Sequence, residues 1–214
     1  MSDQTVVHLL RHGEVTNPQG ILYGRLPDFH LSDLGHKMAE RVAGFFAARD
    51  VAHLVSSPLE RAQETAAPTA AALGLDVHID EQMIKAGNQF KGKTFGVGDG
   101  ALWHPSVWWR LRNPFLPSWG EPYAEIAARM LAAAGDAREA ARGREAVIVS
   151  HQLPVWIARC AAEGRRFIHD PRRRQCALTS VTSISYVGDT VQSVAYTAPA
   201  ADLLVPADDQ QFGA

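Results

Sequence analysis

Two histidines and two arginines follow closely on three short apolar runs that are typical of buried strands. The runs and the residues that follow them are 5–10 with Arg11 and His12, 51–56 with Arg61, and 146–150 with His151. If the strands are parallel, their carboxyl ends share the edge of the sheet where open α/β sheets bind ligands. A single histidine or arginine is most often a core or solvated residue, but four of them at strand ends predict one common site.

This set of side chains suits a phosphoryl group. A guanidinium binds two phosphate oxygens at once, and a protonated histidine donates one more hydrogen bond. A neutral imidazole is a nucleophile near pH 7 that forms covalent intermediates. Phosphoryl transfer depends mostly on charge stabilisation and in-line placement, so cations should outnumber anions. The sequence has no aspartate cluster and no GxxxxGK[ST] loop, so we expect no metal and no cofactor.

The helix expected after the second strand has its own anion signal. Ser57, Pro58 and Glu60 predict an N-cap, a first helical proline and a capping-box glutamate. Arg61 then lies in the first helical turn, where the helix dipole disfavours a cation by about 0.3–1 kcal/mol. A bound anion at the helix start would compensate for this. The alternative is that Glu60 or Glu64 neutralises the arginine.

Helical patterns separate the strands, and this alternation indicates α/β layering. The predicted helices are 31–49 with a start signal at Asp33, 59–73, and 123–142, and the runs 180–187 and 191–197 predict a hairpin. We expect one domain over residues 1–197 and a loose tail over 198–214. The segment 87–122 holds four of the five tryptophans and is too short to bury its own core. It is predicted to be an insertion that folds over an edge of the sheet.

The composition is that of an ordinary globular protein. The chain has 214 residues, of which 46% are apolar and 21% are charged, with a formal net charge of −2. This balance favours neither nucleic acid nor a membrane surface as a partner. Two cysteines outside any CxxC pair, no leader signal and no long apolar window predict a cytoplasmic protein. A homodimer stays open.

Three blocks of the sequence, in this order, resemble the histidine phosphatase superfamily, also called the phosphoglycerate mutase-like family. They are residues 9–14 (Leu-Leu-Arg-His-Gly-Glu), 56–66 (Ser-Ser-Pro-Leu-Glu-Arg-Ala-Gln-Glu-Thr-Ala) and 149–151 (Val-Ser-His). The resemblance covers residues 5–197 in layout. It implies a three-layer α/β/α fold with a mostly parallel central sheet, and a Trp/Gly-rich insertion over the C-terminal edge of that sheet.

The resemblance also implies a phosphohistidine intermediate and a role for each matching residue. His12 is expected to be the nucleophile, and Arg11 and Arg61 to hold the phosphoryl group. His151 is expected to stabilise its charge in the transition state. Asn17 is similar to a phosphate-binding residue of relatives, with a different spacing.

The proton donor departs from the family pattern. Relatives use a glutamate after the strand expected here over 76–79, and the aligned position is Lys85. A lysine holds its proton too firmly to be a good acid, unless burial or neighbouring arginines lower its pKa. Three alternatives remain: Glu81 or Asp80 donates from a shifted position, Lys85 donates with a lowered pKa, or catalysis is weak. Of these we favour Glu81.

The sequence therefore predicts a metal-independent phosphatase that acts on a small phosphomonoester. A phosphoglycerate-type mutase is one alternative, although the Asn-Glu-Arg-His-Tyr-Gly run of such mutases is missing. A noncatalytic phospholigand-binding module that has lost its proton donor is another. A hydrolytic metal site formed by His12, His151 and His53 is a remote third.

Two further groups are candidates for specificity. Tryptophans of the insertion can wall an apolar leaving group, and Arg110 and Arg112 can reach a second anionic group. Packing of the tryptophans onto the domain is an equally good interpretation. A basic cluster near the C-terminus is either solvated surface or a site for a substrate or partner. Its members are Arg165, Arg166, Arg172, Arg173 and Arg174.

Overall fold

In the described part of the chain, a six-stranded sheet carries two helices on each face. The computed structural model describes residues 4–86 and 121–204. The strands are β1 (Gln4–Arg11), β2 (Val51–Ser56), β3 (Val77–Ile79), β4 (Glu145–Ser150), β5 (Val181–Val187) and β6 (Thr190–Thr197). The helices are α1 (Asp33–Ala47), α2 (Glu60–Leu73), α3 (Tyr123–Ala140) and α4 (Gln152–Ala162). Short 3₁₀ helices occupy Glu81–Met83, Pro171–Arg173 and Ala201–Leu203.

The three strands that carry the candidate residues are parallel and in register, as predicted. The strand order is β3-β2-β4-β1-β5-β6, and β4 pairs in parallel with both β1 and β2. Arg11 lies opposite Ser150, and Ser56 lies opposite Val149. The carboxyl ends of β1, β2 and β4 therefore meet at one edge. The predicted hairpin is also confirmed, since β5 pairs antiparallel with both β1 and β6.

Alternation of side chains along the central strands produces the three layers. Successive strand residues point to opposite faces of a sheet, so the continuous apolar runs supply two cores. Leu10, Leu54 and Val147 pack with α1 and α2, whereas Leu9, Val55 and Ile148 pack with α3 and α4. The α/β/α layering expected from the resemblance is confirmed.

The turn after β1 packs directly on the start of α1. A Cβ on Gly13 would lie 2.8 Å from the Gly35 carbonyl oxygen, and a Cβ on Gly35 would lie 2.1 Å from the Glu14 carbonyl oxygen. The Ser32 hydroxyl caps α1 by accepting from the Gly35 N–H, and it donates to the Glu14 carboxylate. This close approach fixes the path of the chain immediately after the first arginine–histidine pair.

Two details of the helices differ from the sequence prediction. The N-cap of α2 is Leu59, not Ser57, and Leu59 makes no side-chain cap. The predicted capping box is absent from α2, because the chain stays extended through Leu59 and the Ser57 hydroxyl bonds to His151 instead. Arg61 nevertheless falls in the first turn, as expected. Helix α4 was not predicted from the sequence.

Parts of two sequence predictions fall outside the described residues. These parts are 87–120 of the expected insertion and 205–214 of the expected tail. In the described start of the expected tail, the carboxylate of Asp202 forms an ion pair with Arg41 at 2.9 Å. Within the two described ranges, no helix is both long and apolar enough to cross a membrane.

Candidate active site

The structure brings Arg11, His12, Arg61 and His151 together at the carboxyl edge of the sheet. All four side chains are buried, and the rings of the two histidines lie 5.1 Å apart at an angle of 60°. The backbone joins them as well, because the His12 N–H donates to the Ser150 carbonyl at 3.1 Å. The convergence predicted from the strand ends is present, with Lys85 as an additional buried cation beside the set.

His12 is held as a neutral imidazole with one nitrogen available. Its Nδ1 lies 2.7 Å from the Gly13 carbonyl oxygen, an acceptor only, so Nδ1 carries the proton and Nε2 keeps its lone pair. Burial lowers the pKa of His12 well below the usual value of 6.5, and Arg61 and Arg11 lower it further. A neutral Nε2 beside two guanidiniums is the form that can attack phosphorus.

His151 occupies the N-cap position of α4, directly after β4. Its Nε2 shares a 2.8 Å hydrogen bond with the Ser57 hydroxyl, and its Nδ1 is buried without a partner among the described residues. Burial lowers the pKa of His151 well below 6.5, and His12, Arg61, Lys85 and Arg11 add to the effect. A bound dianion would offset the charge of these cations and raise the pKa of His151. More of the ring would then be protonated, with both nitrogens able to donate a hydrogen bond to the anion.

Arg61 is fully buried in the first turn of α2. Its Nη2 donates to the Gly24 carbonyl at 2.8 Å, and its guanidinium carbon lies 4.8 Å from the centre of the Tyr23 ring. Its Nε and Nη1 have no partner among residues 4–86 and 121–204. Burial lowers the pKa of Arg61, because removal from water disfavours its charged form.

The neutralising partners considered for Arg61 do not pair with it. Glu64 accepts instead from His30 Nδ1 at 2.5 Å and from the Leu31 N–H at 2.7 Å. Glu60 raises the pKa of Arg61 through its charge but forms no ion pair with it in the described part of the chain. Neither glutamate therefore forms an ion pair with Arg61, and a bound anion at the helix start stays a prediction.

Arg11 is positioned in a similar way. Its Nη1 donates to the Cys176 carbonyl at 2.7 Å, and its Nε is buried without a partner among the described residues. A backbone carbonyl fixes the guanidinium and leaves its charge uncompensated. Cys176, like Cys160, is a buried free cysteine.

Three supporting residues were not identified from the sequence. Ser57 bonds to His151 as described above. Thr65 accepts from the Gly13 N–H at 3.0 Å and donates to the Arg61 carbonyl at 2.7 Å, so it ties the turn after β1 to α2. Tyr23 stacks under two cations, with the Lys85 Nζ 4.6 Å from its ring centre. No local signal marks these roles, although Ser57 and Thr65 both lie within the second family-like block.

Among the three proton-donor candidates, the structure brings Lys85 to the arginines. Burial lowers the pKa of Lys85 well below its usual 10.5, and Arg61, Arg11 and Arg174 lower it further. Asp80 instead caps the following 3₁₀ helix through the Gln82 N–H at 2.8 Å. Glu81 is exposed in that same helix. The structure therefore places Lys85, and not the preferred Glu81, beside the arginines, and the identity of the proton donor stays a prediction.

Two other candidates have local roles. The Asn17 amide closes its own turn, with Nδ2 donating to the Ile21 carbonyl at 2.9 Å and Oδ1 accepting from the Ile21 N–H at 3.0 Å. Its contact with phosphate stays a prediction. His53 stacks on His78 with ring centres 4.8 Å apart. Within the described ranges, no three His, Cys, Asp or Glu side chains come together as metal ligands, so His12, His151 and His53 do not form such a set.

Comparison with known families gives the same assignment as the geometry. The model of the histidine phosphatase superfamily (branch 1) matches residues 7–199. The chain belongs to the histidine phosphatase superfamily. This member is 57% identical over 201 residues to the uncharacterized protein Rv0525 of Mycobacterium tuberculosis, covering 94% of this chain and 100% of that one.

Other superfamily relatives carry functional names. A probable phosphoglycerate mutase of Yersinia enterocolitica is 30% identical over 183 residues, covering 82% of this chain and 83% of the mutase. A mycobacterial glucosyl-3-phosphoglycerate phosphatase, solved in complex with inorganic phosphate, superposes with a TM-score of 0.71. It is 25% identical, and the match covers 94% of this chain and 99% of that one. The relatives are thus phosphatases or mutases, which supports an enzyme of this type.

Proposed function

We propose that this protein is a metal-independent phosphatase that hydrolyses a small phosphomonoester through a phosphohistidine at His12. The observation that carries the proposal is that His12, whose Nδ1 lies 2.7 Å from the Gly13 carbonyl oxygen, is buried beside Arg11 and Arg61, each of which has guanidinium nitrogens without a partner among the described residues. A nucleophile and preorganised cationic donors are the two requirements of phosphoryl transfer.

The reaction has two balanced steps. In the first, the Nε2 lone pair of His12 attacks phosphorus, and the bond from phosphorus to the leaving oxygen breaks. The leaving oxygen keeps that electron pair and takes a proton. In the second step, water attacks the phosphohistidine and the N–P bond returns its electrons to Nε2. One water proton stays with the phosphate, and the other goes to the group that protonated the leaving oxygen. Arg11, Arg61 and His151 hold the transferring oxygens throughout.

We assign the proton for the leaving oxygen to Lys85. An ammonium group with a strongly lowered pKa is a far better acid than an exposed lysine. Burial and the neighbouring arginines supply the lowering of the Lys85 pKa. In the second step the neutral Lys85 amine takes one proton from the attacking water, which restores its ammonium for the next cycle.

The noncatalytic phospholigand-binding module remains the second candidate. The observation that favours it is the place of Lys85, a cation where relatives have a glutamate. Such a module would bind phosphate analogues, yet it would turn over no ester, including aryl phosphates whose leaving groups need no proton. The mutase alternative is separated by its product, since a mutase moves phosphate between positions of a phosphoglycerate without releasing it.

The decisive experiment traps the intermediate. The protein is incubated with a panel of ³²P-labelled phosphomonoesters at mildly acidic and neutral pH, quenched with base, and tested for acid-labile label. We expect label on the wild type and none on His12→Ala. His36→Ala is the matched control, because His36 is exposed on α1. Label retained by His12→Ala would refute the nucleophile, and binding without label or turnover would favour the module.

A further inference from the structure

Arg174 differs in burial from Arg165, Arg166 and Arg173 of the basic cluster. It is partly buried, whereas Arg173 is exposed and lies 4.0 Å from Asp170. Arg165 pairs with Glu163 at 2.8 Å. Arg174 forms no ion pair with a carboxylate among the described residues. Arg174 therefore points inward without a carboxylate partner in the described part of the chain, whereas Arg173 is solvated and Arg165 is paired.

The backbone places Arg174 beside the candidate active site from two directions. The Cys176 N–H donates to the Arg174 carbonyl at 3.0 Å, while the Cys176 carbonyl accepts from Arg11 Nη1 at 2.7 Å. On the other side, Arg174 Nη1 lies 3.4 Å from the Oε1 of Gln152, the residue directly after His151. Arg174 thus lies next to the turn that holds Arg11 and next to the residue that follows His151.

A neutral histidine holds the guanidinium in place. His169 Nδ1 donates to the Phe167 carbonyl at 2.5 Å, which leaves Nε2 as the acceptor for Arg174 Nε at 2.7 Å. The ring lies near Tyr123 and Trp156, with centres 5.9 Å and 5.5 Å away. An imidazole acceptor orients a guanidinium without cancelling its charge.

The charge of Arg174 reaches the catalytic groups. Burial lowers the pKa of Arg174, and Arg11 lowers it further. Arg174 in turn contributes to the lowered pKa of Lys85. Arg174 adds repulsion to Arg11, and in the proposed function a single phosphate already has Arg11 and Arg61 as partners. The extra cation fits a ligand with more negative charge than one phosphoryl group.

We propose that Arg174, oriented by His169, is a second anion-binding subsite for a carboxylate or phosphate carried by the leaving group of the substrate. This inference rests on the proposed phosphatase function and names its substrate class as phosphomonoesters with a second anionic group. The side chain binds substrate and takes no part in proton or phosphoryl transfer. His169 is a positioning residue that acts through it.

The test compares two esters with the same aryl scaffold, phenyl phosphate and 3-carboxyphenyl phosphate. We expect wild-type kcat/KM to favour the carboxylated ester by about ten- to a hundredfold, the range for one hydrogen bond to a charged group. In Arg174→Gln the ratio is expected to fall to about one, mainly through KM. His169→Phe should lower the ratio too, and Arg173→Gln is the matched control that keeps it.

Either of two results would overturn the subsite: no preference in the wild type, or a preference that survives Arg174→Gln. If neither ester is hydrolysed and no phosphohistidine forms, the proposed function fails instead. The subsite is then decided by thermal stabilisation with phenylphosphonate and 3-carboxyphenylphosphonate. Stronger stabilisation by the carboxylated phosphonate, lost in Arg174→Gln, would support it, and equal stabilisation would refute it.

Discussion

Replacing Arg61 by methionine separates the functional use of this side chain from its structural cost. The guanidinium is fully buried and makes one hydrogen bond, to the Gly24 carbonyl, while two of its nitrogens have no partner in the described part of the chain. Losing that hydrogen bond costs about 1–3 kcal/mol. Removing an uncompensated buried charge returns several kcal/mol. We therefore expect Arg61→Met to leave the ligand-free free energy of unfolding unchanged or to raise it by about 1–2 kcal/mol.

With phosphate bound, the wild type should become more stable than Arg61→Met. At a concentration of about 100 times its Kd, phosphate stabilises the wild type by about 2.7 kcal/mol, or about 5–11 °C in Tm for a chain of this size. Loss of about 2 kcal/mol of binding weakens Kd roughly thirtyfold, so the same concentration stabilises Arg61→Met by less than about 1 kcal/mol. Turnover should fall about 10²- to 10³-fold, as for the loss of one preorganised donor.

Thermal unfolding with and without phosphate measures the stability of Arg61→Met and its response to phosphate. The kcat on an aryl phosphate measures its loss of turnover. Arg41→Met is the matched control, because Arg41 is exposed and paired with Asp202. Its phosphate response and its turnover should match those of the wild type. The reasoning fails if Arg61→Met is destabilised by more than about 2 kcal/mol without phosphate and keeps the wild-type response to phosphate. Arg61 would then be a structural cap of α2.

Three other predictions follow from the packing and the charges. Gly35→Ala places a Cβ 2.1 Å from a backbone oxygen and should lower the free energy of unfolding by about 1–3 kcal/mol or more, measured by urea titration. Gly44→Ala is the control in the same helix. Its Cβ would have nothing within 4 Å, so it should raise the free energy of unfolding by about 0.5–1 kcal/mol. Lys85→Gln should slow alkyl phosphates by about 100-fold or more and aryl phosphates much less. Equal losses on both would mean that Lys85 donates no proton. Burial lowers the pKa of His12 and His151, so below about pH 6.5 the unfolded chain binds more protons than the folded one, and the free energy of unfolding should fall with pH down to the lowered values. Denaturation at several pH values measures this slope, and an unchanged slope in His12→Asn would contradict it.

The sequence predicts the part of this molecule that local patterns control. Apolar runs place β1, β2 and β4, and the residue after each strand end is then placed by the rule for parallel sheets. Helix α4 is missed because its residues 153–158 form a short continuous apolar run that contains Pro154, and the sequence alone cannot tell such a run from a buried strand. The cap of α2 is predicted wrongly because the hydroxyl of Ser57 has a tertiary partner, His151, that lies 94 positions away.

Lys85 shows the same limit at the level of chemistry. Lys85 lies at the sequence position where the family resemblance implies an acidic residue. Its ability to donate a proton depends on how far its pKa is lowered by nearby cations, and these come from distant parts of the chain. Glu81 and Asp80 are better acids by type, and only the fold shows that one faces solvent and the other caps a 3₁₀ helix. Residue type therefore predicts what a group can do, while its environment decides which group does it.

The partners of the buried cations explain why the site remains ready for an anion. Each guanidinium is oriented by a neutral acceptor: Arg11 by the Cys176 carbonyl, Arg61 by the Gly24 carbonyl, and Arg174 by the His169 imidazole. A carboxylate would hold an arginine more strongly, but it would also neutralise the arginine and compete with the ligand for it. Neutral acceptors fix the direction of the donors and leave the charge uncompensated, so the fold bears part of the desolvation cost before any ligand arrives. Such preorganisation is the condition under which cations stabilise a transition state more than they do in water. The same principle predicts that replacing the neutral His169 by glutamate would hold Arg174 at least as firmly and yet abolish the preference for a second anionic group, which the ratio of kcat/KM for the two aryl esters measures.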